Sequence, residues 1–163
     1  MPDESATRLV NHLKSPQLRH RVGILTLPTT WLRREPEVAV RLGVGYVDLR
    51  ALILSRLEPG RRYLSLGWAE FVSQNLEALV GDTRPDGDCL LVANTDLVLA
   101  SWGFHERCRF WEFLREGCRP RWALLLALPT TARRLIADDE RTNWIRAERF
   151  AGWQTDEEES WPS

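Results

Sequence analysis

The chain has 163 residues and a mass of 18.9 kDa, which is the size of a single domain. Its 44% hydrophobic and 28% charged residues are ordinary for a globular protein and exclude wholesale disorder. The 22 basic residues nearly balance the 23 acidic ones, which argues against binding nucleic acid through bulk charge. No apolar run is long enough for a membrane span and the first residues are polar, so we expect a cytoplasmic protein that contacts no membrane.

The predicted elements follow a strand–helix alternation. In chain order they are a helix over 5–14, a strand over 21–27, a helix from 36 to a glycine stop at 43 or 45, a strand over 44–49, helices over 51–57 and 66–80, a strand over 89–93, a helix over 104–116 and a strand over 122–128. Residues 133–150 are charged and ambiguous, with a short helix and then an edge strand around 149–153 as the options. The alternation predicts an α/β fold: a three-layer sandwich with a mainly parallel sheet and helices on both faces.

This organisation predicts one α/β domain over residues 1–154 and an acidic tail, expected to be disordered, over 155–163. In open parallel sheets, ligands bind outside the carboxyl ends of the strands. The segments that follow the predicted strands are therefore the places to look for a site.

The segment after the first strand occupies the position of a phosphate-binding loop. Such a loop has the pattern GxxxxGK[ST], in which glycine-rich backbone surrounds the phosphates and the lysine reaches their oxygens. This chain instead has Pro-Thr-Thr-Trp-Leu-Arg-Arg-Glu over residues 28–35, without glycine or lysine. The residues left as candidate contacts are Thr29, Thr30, Trp31, Arg33 and Arg34.

The end of the third strand also departs from the pattern of a P-loop protein. A Walker B element is an apolar strand followed by an aspartate that orders magnesium. Here Ala93 takes the place of the acid, and Asn94 and Asp96 follow it. Asp96 is either a ligand of a rearranged metal or a cap of the segment over 97–101.

The order of elements, the segment over 48–57 and the run from Ala93 to Asp96 resemble the BrxF-like small P-loop ATPase family of BREX phage-exclusion systems. The resemblance covers about residues 5–135. It implies a P-loop-NTPase-like sheet. Residue by residue, Ser55, Asn94 and Asp96 match the family pattern, whereas its Walker A and Walker B chemistry is missing.

A degenerate member of that family would be a non-catalytic scaffold or regulatory subunit that binds other subunits of an anti-phage assembly and needs no cofactor. Two alternatives stay open. One is an atypical NTPase or nucleotide sensor that binds ATP and magnesium through Arg33 or Arg34 and Asp96. The other is a nucleic-acid adaptor that uses its arginine pairs, among which Arg33-Arg34 and Arg133-Arg134 both follow strands.

Cysteine, acidic and tryptophan patterns add further expectations. The three cysteines lack the CxxC spacing of a zinc site. We predict no metal site and no catalytic residue in this sequence. The acidic run over 138–140 is interpreted as a solvated turn rather than a set of nuclease carboxylates. Some tryptophans are expected at exposed loops or element ends, where they would mark a protein interface. These are Trp31, Trp102, Trp144 and Trp161. Those expected in the core are Trp68, Trp111 and Trp122.

Overall fold

A computed structural model describes residues 3–55 and 84–154. The predicted helix over 66–80, the tail over 155–163, and Trp68 and Trp161 lie outside the described residues. The strands within them are β1 (Val22–Leu27), β2 (Gly45–Asp48), β3 (Cys89–Ala93), β4 (Ala123–Pro129) and β5 (Phe150–Gly152). The α-helices are α1 (Glu4–Leu13), α2 (Glu35–Leu42), α3 (Leu49–Ser55), α4 (Thr95–Leu99), α5 (Phe104–Glu116) and α6 (Asp138–Arg146).

The described strands form one five-stranded sheet in the order β2-β3-β4-β1-β5, and every pair is parallel. Helices cover both faces, so the predicted three-layer α/β sandwich of P-loop-like type is confirmed. In this register Leu27 pairs with Pro129 and Asp48 pairs with Ala93. The carboxyl ends of the strands, and the segments that follow them, therefore meet at one edge of the sheet.

The two faces of the sheet are buried under different helices. Alternate side chains of β1 and β4 point to opposite faces, as the pleat requires. One face, with Leu25 of β1 and Leu125 of β4, packs against α1 and α2. The opposite face, with Ile24 and Leu126, packs against the helices from α3 to α6. Burial on both faces explains why these strands are continuous apolar runs in the sequence.

Local sequence signals account for most helix bounds. The carboxylate of Asp3 caps α1 by accepting a hydrogen bond from the Ala6 amide at 3.1 Å. Helix α2 has Pro36 in its first turn and ends at Gly43, whose φ of 68° is the left-handed conformation that glycine adopts at little cost. Helix α5 and strand β3 have the predicted bounds. The ambiguous region resolves into α6 and β5, and α4 is a five-residue helix that sequence analysis missed.

Three of the tryptophans expected at exposed positions are buried, so that expectation was wrong for them. Trp31 and Trp144 are fully buried, and Trp102 is 8% exposed. The Trp144 ring packs edge-on to Trp111, with centroids 6.0 Å apart, because α6 lies against α5. Trp111 is a core residue as predicted, whereas Trp122 is only half-buried.

The acidic run over 138–140 is the first turn of α6 rather than a turn between elements, which corrects the interpretation from the sequence. Asp138 and Asp139 are exposed, but the Glu140 side chain is largely covered. Its carboxylate accepts hydrogen bonds from the Arg115 guanidinium at 2.7 Å and from the Trp144 indole at 3.1 Å. Glu140 therefore joins α6 to α5 and is not a free acid.

Candidate functional site

The segment over 28–34 runs along the carboxyl edge of the sheet between β1 and α2. It opens with a turn of 3₁₀ helix over Thr29–Trp31. Thr29 and Thr30 are exposed, whereas the Trp31 side chain points inward and packs edge-on to Trp153, with centroids 5.4 Å apart. Of these three candidate contacts, only the two threonines lie where another molecule can reach them.

Arg34 holds Trp31 in place. Its guanidinium carbon lies 3.8 Å from the Trp31 ring centroid, and its nitrogens donate to both oxygens of Glu37, at 3.0 and 3.2 Å. Arg41 contacts the same ring at 4.9 Å and the same carboxylate at 3.0 Å. The hydrogen bond from Arg34 lowers the pKa of the Glu37 carboxyl below its ordinary value. Arg34 therefore acts as a structural support for the segment over 28–34.

The backbone of this segment is closed on itself. Three of its amides donate to carbonyl oxygens of the same segment instead of pointing outward. The bonds run from Trp31 to Pro28 (2.9 Å), from Leu32 to Thr29 (3.2 Å) and from Arg34 to Trp31 (3.0 Å). A phosphate-binding nest needs successive amides directed at the ligand. The amides of Trp31, Leu32 and Arg34 are therefore not available to such a nest.

The start of α2 also disfavours a phosphate. Helix N-termini attract anions through free amides and the positive end of the helix dipole. Here the first turn carries Glu35 and Glu37, and Pro36 has no amide proton. Lys14 lies at the opposite edge of the sheet, since it follows α1 and interacts with Asp88, which immediately precedes β3. The residues present therefore do not fit the triphosphate and magnesium of a P-loop site.

Arg33 differs from its neighbour because it is exposed and lines a cleft of about 380 Å³ at the carboxyl edge. We call this the first cleft. Its lining residues are Leu27, Leu32, Arg33, Glu35, Arg50, Asn94, Asp96, Leu97, Ala127, Leu128 and Pro129. The structure thus brings Arg33, Asn94 and Asp96 together, as the sequence predicted for residues that follow β1 and β3. Arg50 and Glu35 were missed as site residues, although Arg50 lies only two positions beyond the end of β2.

Among the described residues, the first cleft is lined by two basic and two acidic side chains. Arg33, Glu35, Arg50 and Asp96 take part in none of the ion pairs found within residues 3–55 and 84–154. Burial raises the pKa of the Asp96 carboxyl, and the backbone amides of residues 96 and 97 offset this in part. Such unpaired groups are available to a partner that carries both signs of charge.

Asn94 and Asp48 link the ends of β3 and β2. The Asn94 side-chain amide donates to the Asp48 carboxylate at 2.9 Å, and the same oxygen accepts the Ala51 amide at 3.1 Å, which caps α3. Asn94 itself has a φ of 64°. Ala93, at the position of the Walker B acid, is fully buried. Asp48 is therefore occupied in structural hydrogen bonds.

The arginine pairs do not line one common cleft. Arg33 lines the first cleft, whereas Arg133 lines a second one on the other side of Pro129 and lies 3.6 Å from Asp138. Arg134 is exposed. Arg33 and Arg133 therefore lie at the same edge of the sheet but line different clefts.

Two of the free cysteines, Cys89 and Cys118, are buried. Burial raises the pKa of Cys89 to about 12 and that of Cys118 to about 11, so these thiols stay protonated at neutral pH. Across the described ranges, three or more histidine, cysteine or acidic side chains are nowhere grouped to hold a metal ion. In the same ranges, no helix has both the length and the apolar character needed to cross a membrane.

Comparison of the chain with protein-family models, with curated proteins and with solved structures gives no match.

Proposed function

We propose that this protein is a non-catalytic, P-loop-like scaffold or regulatory subunit of a cytoplasmic bacterial anti-phage assembly of the BREX type. The observation that carries the non-catalytic part is the closed segment over 28–34. Three of its amides are bonded within the segment, and it leads into an acidic helix start. The link to phage defence is supported by the resemblance of residues 5–135 to the BrxF-like family.

The proposed role follows from what the carboxyl edge presents. A rigid parallel sheet with buried faces holds its loops in fixed positions, which suits recognition by another protein. Trp31 and Arg34 fix the segment from the inside, so Thr29, Thr30 and Arg33 are displayed outward on a stable support.

The first cleft is the proposed contact with a partner subunit. Leu97 is 48% exposed at this cleft, which places an apolar side chain among the unpaired charges of Arg33 and Arg50. Arginine and large apolar side chains together are typical of the energetically important centre of an interface. A partner loop with an apolar anchor, an acidic side chain facing the arginines and a basic one facing Glu35 and Asp96 would satisfy these groups.

The test is co-purification of the tagged full chain, co-expressed with the other subunits of a BREX-type system. We expect those subunits to be retained by the wild type and lost by Leu97→Asp and by Arg33→Glu. Val40→Asp is the matched control for the first change, because Val40 is 80% exposed on α2 and lies outside the cleft. Arg146→Glu is the control for the second. Retention by all four variants, or no retention by the wild type, contradicts the proposal.

A second candidate is an atypical nucleotide sensor. It is favoured by one observation: Arg33, Asn94 and Asp96 share a cleft whose volume lies within the 300–1,000 Å³ usual for ligand sites. A sensor would be stabilised by ATP or ADP, so a rise in the midpoint of thermal unfolding separates it from the scaffold.

A further inference from the structure

A second cleft lies at the same edge of the sheet, between β4, β1 and α6. It has a volume of about 240 Å³ and is separated from the first cleft by Leu128 and Pro129, which line both. The remaining lining residues are Thr26, Thr130, Ala132, Arg133, Ile136, Arg141 and Phe150. Its position outside the carboxyl ends of parallel strands is where α/β sheets bind ligands.

Within residues 3–55 and 84–154, the charged residues that line this second cleft have a single sign. They are Arg133 and Arg141, and no carboxylate of these ranges lines the cleft. Arg141 lies over the Phe150 ring at 5.3 Å and forms no ion pair with any residue in 3–55 or 84–154. Arg133 has one ion pair, with Asp138 at 3.6 Å, between side chains that are each about two-thirds exposed or more. An exposed pair of this kind is worth about 1 kcal/mol or less and is easily exchanged for a ligand.

The floor of the second cleft is apolar. Leu128 and Ile136 belong to the buried core, and Phe150 and Ala132 pack against it. Thr26 and Thr130 are the other polar residues among the described part of the lining, and the Thr26 hydroxyl donates to the Ala151 carbonyl oxygen at 3.5 Å. A ligand here would place an apolar body on the floor and a negative group between the two guanidinium groups, which bind carboxylate and phosphate through paired hydrogen bonds.

We propose that the second cleft binds a small organic anion, with a carboxylate or phosphate carried by a single ring or a short acyl chain. The size follows from the volume, which is below the 300–1,000 Å³ of sites that enclose drug-sized ligands. The sign of charge follows from Arg133 and Arg141. This site is separate from the proposed partner contact and does not depend on it.

The test is titration of the isotope-labelled full chain with benzoate, with phenyl phosphate and with benzamide, followed by amide chemical shifts. Benzamide has the shape of benzoate without its charge. We expect saturable shifts at Thr26, Thr130 and Phe150 with both anions, and binding of benzamide at least about tenfold weaker. Added salt is expected to weaken the binding of the anions and not that of benzamide.

Variants locate the site. Arg141→Gln is expected to weaken benzoate binding about tenfold, whereas Arg146→Gln, on the same helix but outside the lining, leaves it unchanged. The proposal is overturned if neither anion saturates by about 10 mM, if benzamide binds as well as benzoate, or if the shifts centre on Asn94 and Leu97 of the first cleft. Should Arg141→Gln fail to fold, the comparison of benzoate with benzamide on the wild type decides alone.

Discussion

The guanidinium carbon of Arg34 lies 3.8 Å from the centroid of the Trp31 ring, and the Arg34 nitrogens donate to Glu37 at the same time. This stack turns the position of a phosphate-binding loop into a structural support. Both side chains were candidate contacts from the sequence, yet they contact each other and the core. Arg33, one residue before Arg34, is left to face the first cleft.

Replacing Trp31 with alanine is expected to lower the free energy of unfolding by about 3–5 kcal/mol, because a fully buried indole is removed and a cavity is left beside Trp153. Urea denaturation followed by circular dichroism measures the change. Val40→Ala, at an 80% exposed position on α2, is the control and should change stability by no more than about 0.5 kcal/mol. A loss below about 1 kcal/mol for Trp31→Ala would show that the indole is not part of the core.

Gly43 and Gly87 both have positive φ angles, 68° and 62°, but differ in the space around them. A Cβ at Gly43 would meet no atom within 4 Å, whereas a Cβ at Gly87 would lie 2.3 Å from the Gly43 carbonyl oxygen. Asparagine tolerates the left-handed conformation. We therefore expect Gly43→Asn to cost less than about 1 kcal/mol and Gly87→Asn to cost clearly more, by thermal denaturation. Equal losses for the two variants would contradict the close approach.

Arg149 is a buried cation that is bonded to backbone. Its guanidinium donates to the carbonyl oxygens of Val22 at 2.7 Å, Arg115 at 2.9 Å and Leu114 at 3.1 Å, and it lies 4.5 Å from the Trp144 ring centroid. Burial lowers its pKa to about 10, so it stays charged at neutral pH. It joins the start of β1 to the end of α5.

Arg149→Met removes all three donors and leaves the carbonyl groups without these partners. We expect a loss of at least about 3 kcal/mol in the free energy of unfolding, measured with urea. Arg146→Met, at an exposed position on the neighbouring helix, should change stability by about 0.5 kcal/mol or less. If the two variants were equally stable, the three hydrogen bonds would contribute nothing net.

The raised pKa of the Asp96 carboxyl predicts that the stability of the fold depends on pH. Burial raises the pKa of this carboxyl above the ordinary 3.8, so the folded protein holds this proton more tightly than the unfolded chain does. The contribution of Asp96 is therefore most favourable below pH 3.8 and is lost as the pH rises through the raised pKa. Asp96→Asn carries no charge, and we expect it to be more stable than the wild type at neutral pH.

Urea denaturation at a series of pH values from about 4 to about 7 tests this, and the advantage of Asp96→Asn should shrink toward the acid end. Asp139→Asn, which removes a carboxylate at an exposed position in α6, is the control. A variant that is less stable than the wild type at neutral pH would mean that the folded protein stabilises the charged form of Asp96.

Short-range patterns in the sequence were sufficient to predict the fold class. Strand β3 and helix α5 have the predicted bounds. An apolar run flanked by turn residues identifies the strand, and apolar residues at helical spacing identify the helix, without help from distant residues. Local patterns in the sequence could not predict the burial of Trp31. It depends on Trp153, at the other end of the chain, which β5 brings beside β1.

The site was predictable only in part for the same reason. Parallel strands place their carboxyl ends at one edge, which was enough to bring Arg33, Asn94 and Asp96 together. Glu37, three positions after Arg34, is the local signal that separates Arg34 from Arg33, since the two residues pair. The φ of 70° at Arg33 has no such signal in the sequence. Glu140 looked like a solvated acid because its partner Arg115 is 25 positions away in the chain.

The most direct test of the central claim is calorimetric titration of the full chain with ATP and with ADP, each with and without magnesium. The closed segment over 28–34 and the acidic start of α2 predict no detectable heat of binding under any of the four conditions. Binding tighter than about 100 μM, on the order of −5.5 kcal/mol, would contradict the non-catalytic scaffold and favour a nucleotide site in the first cleft.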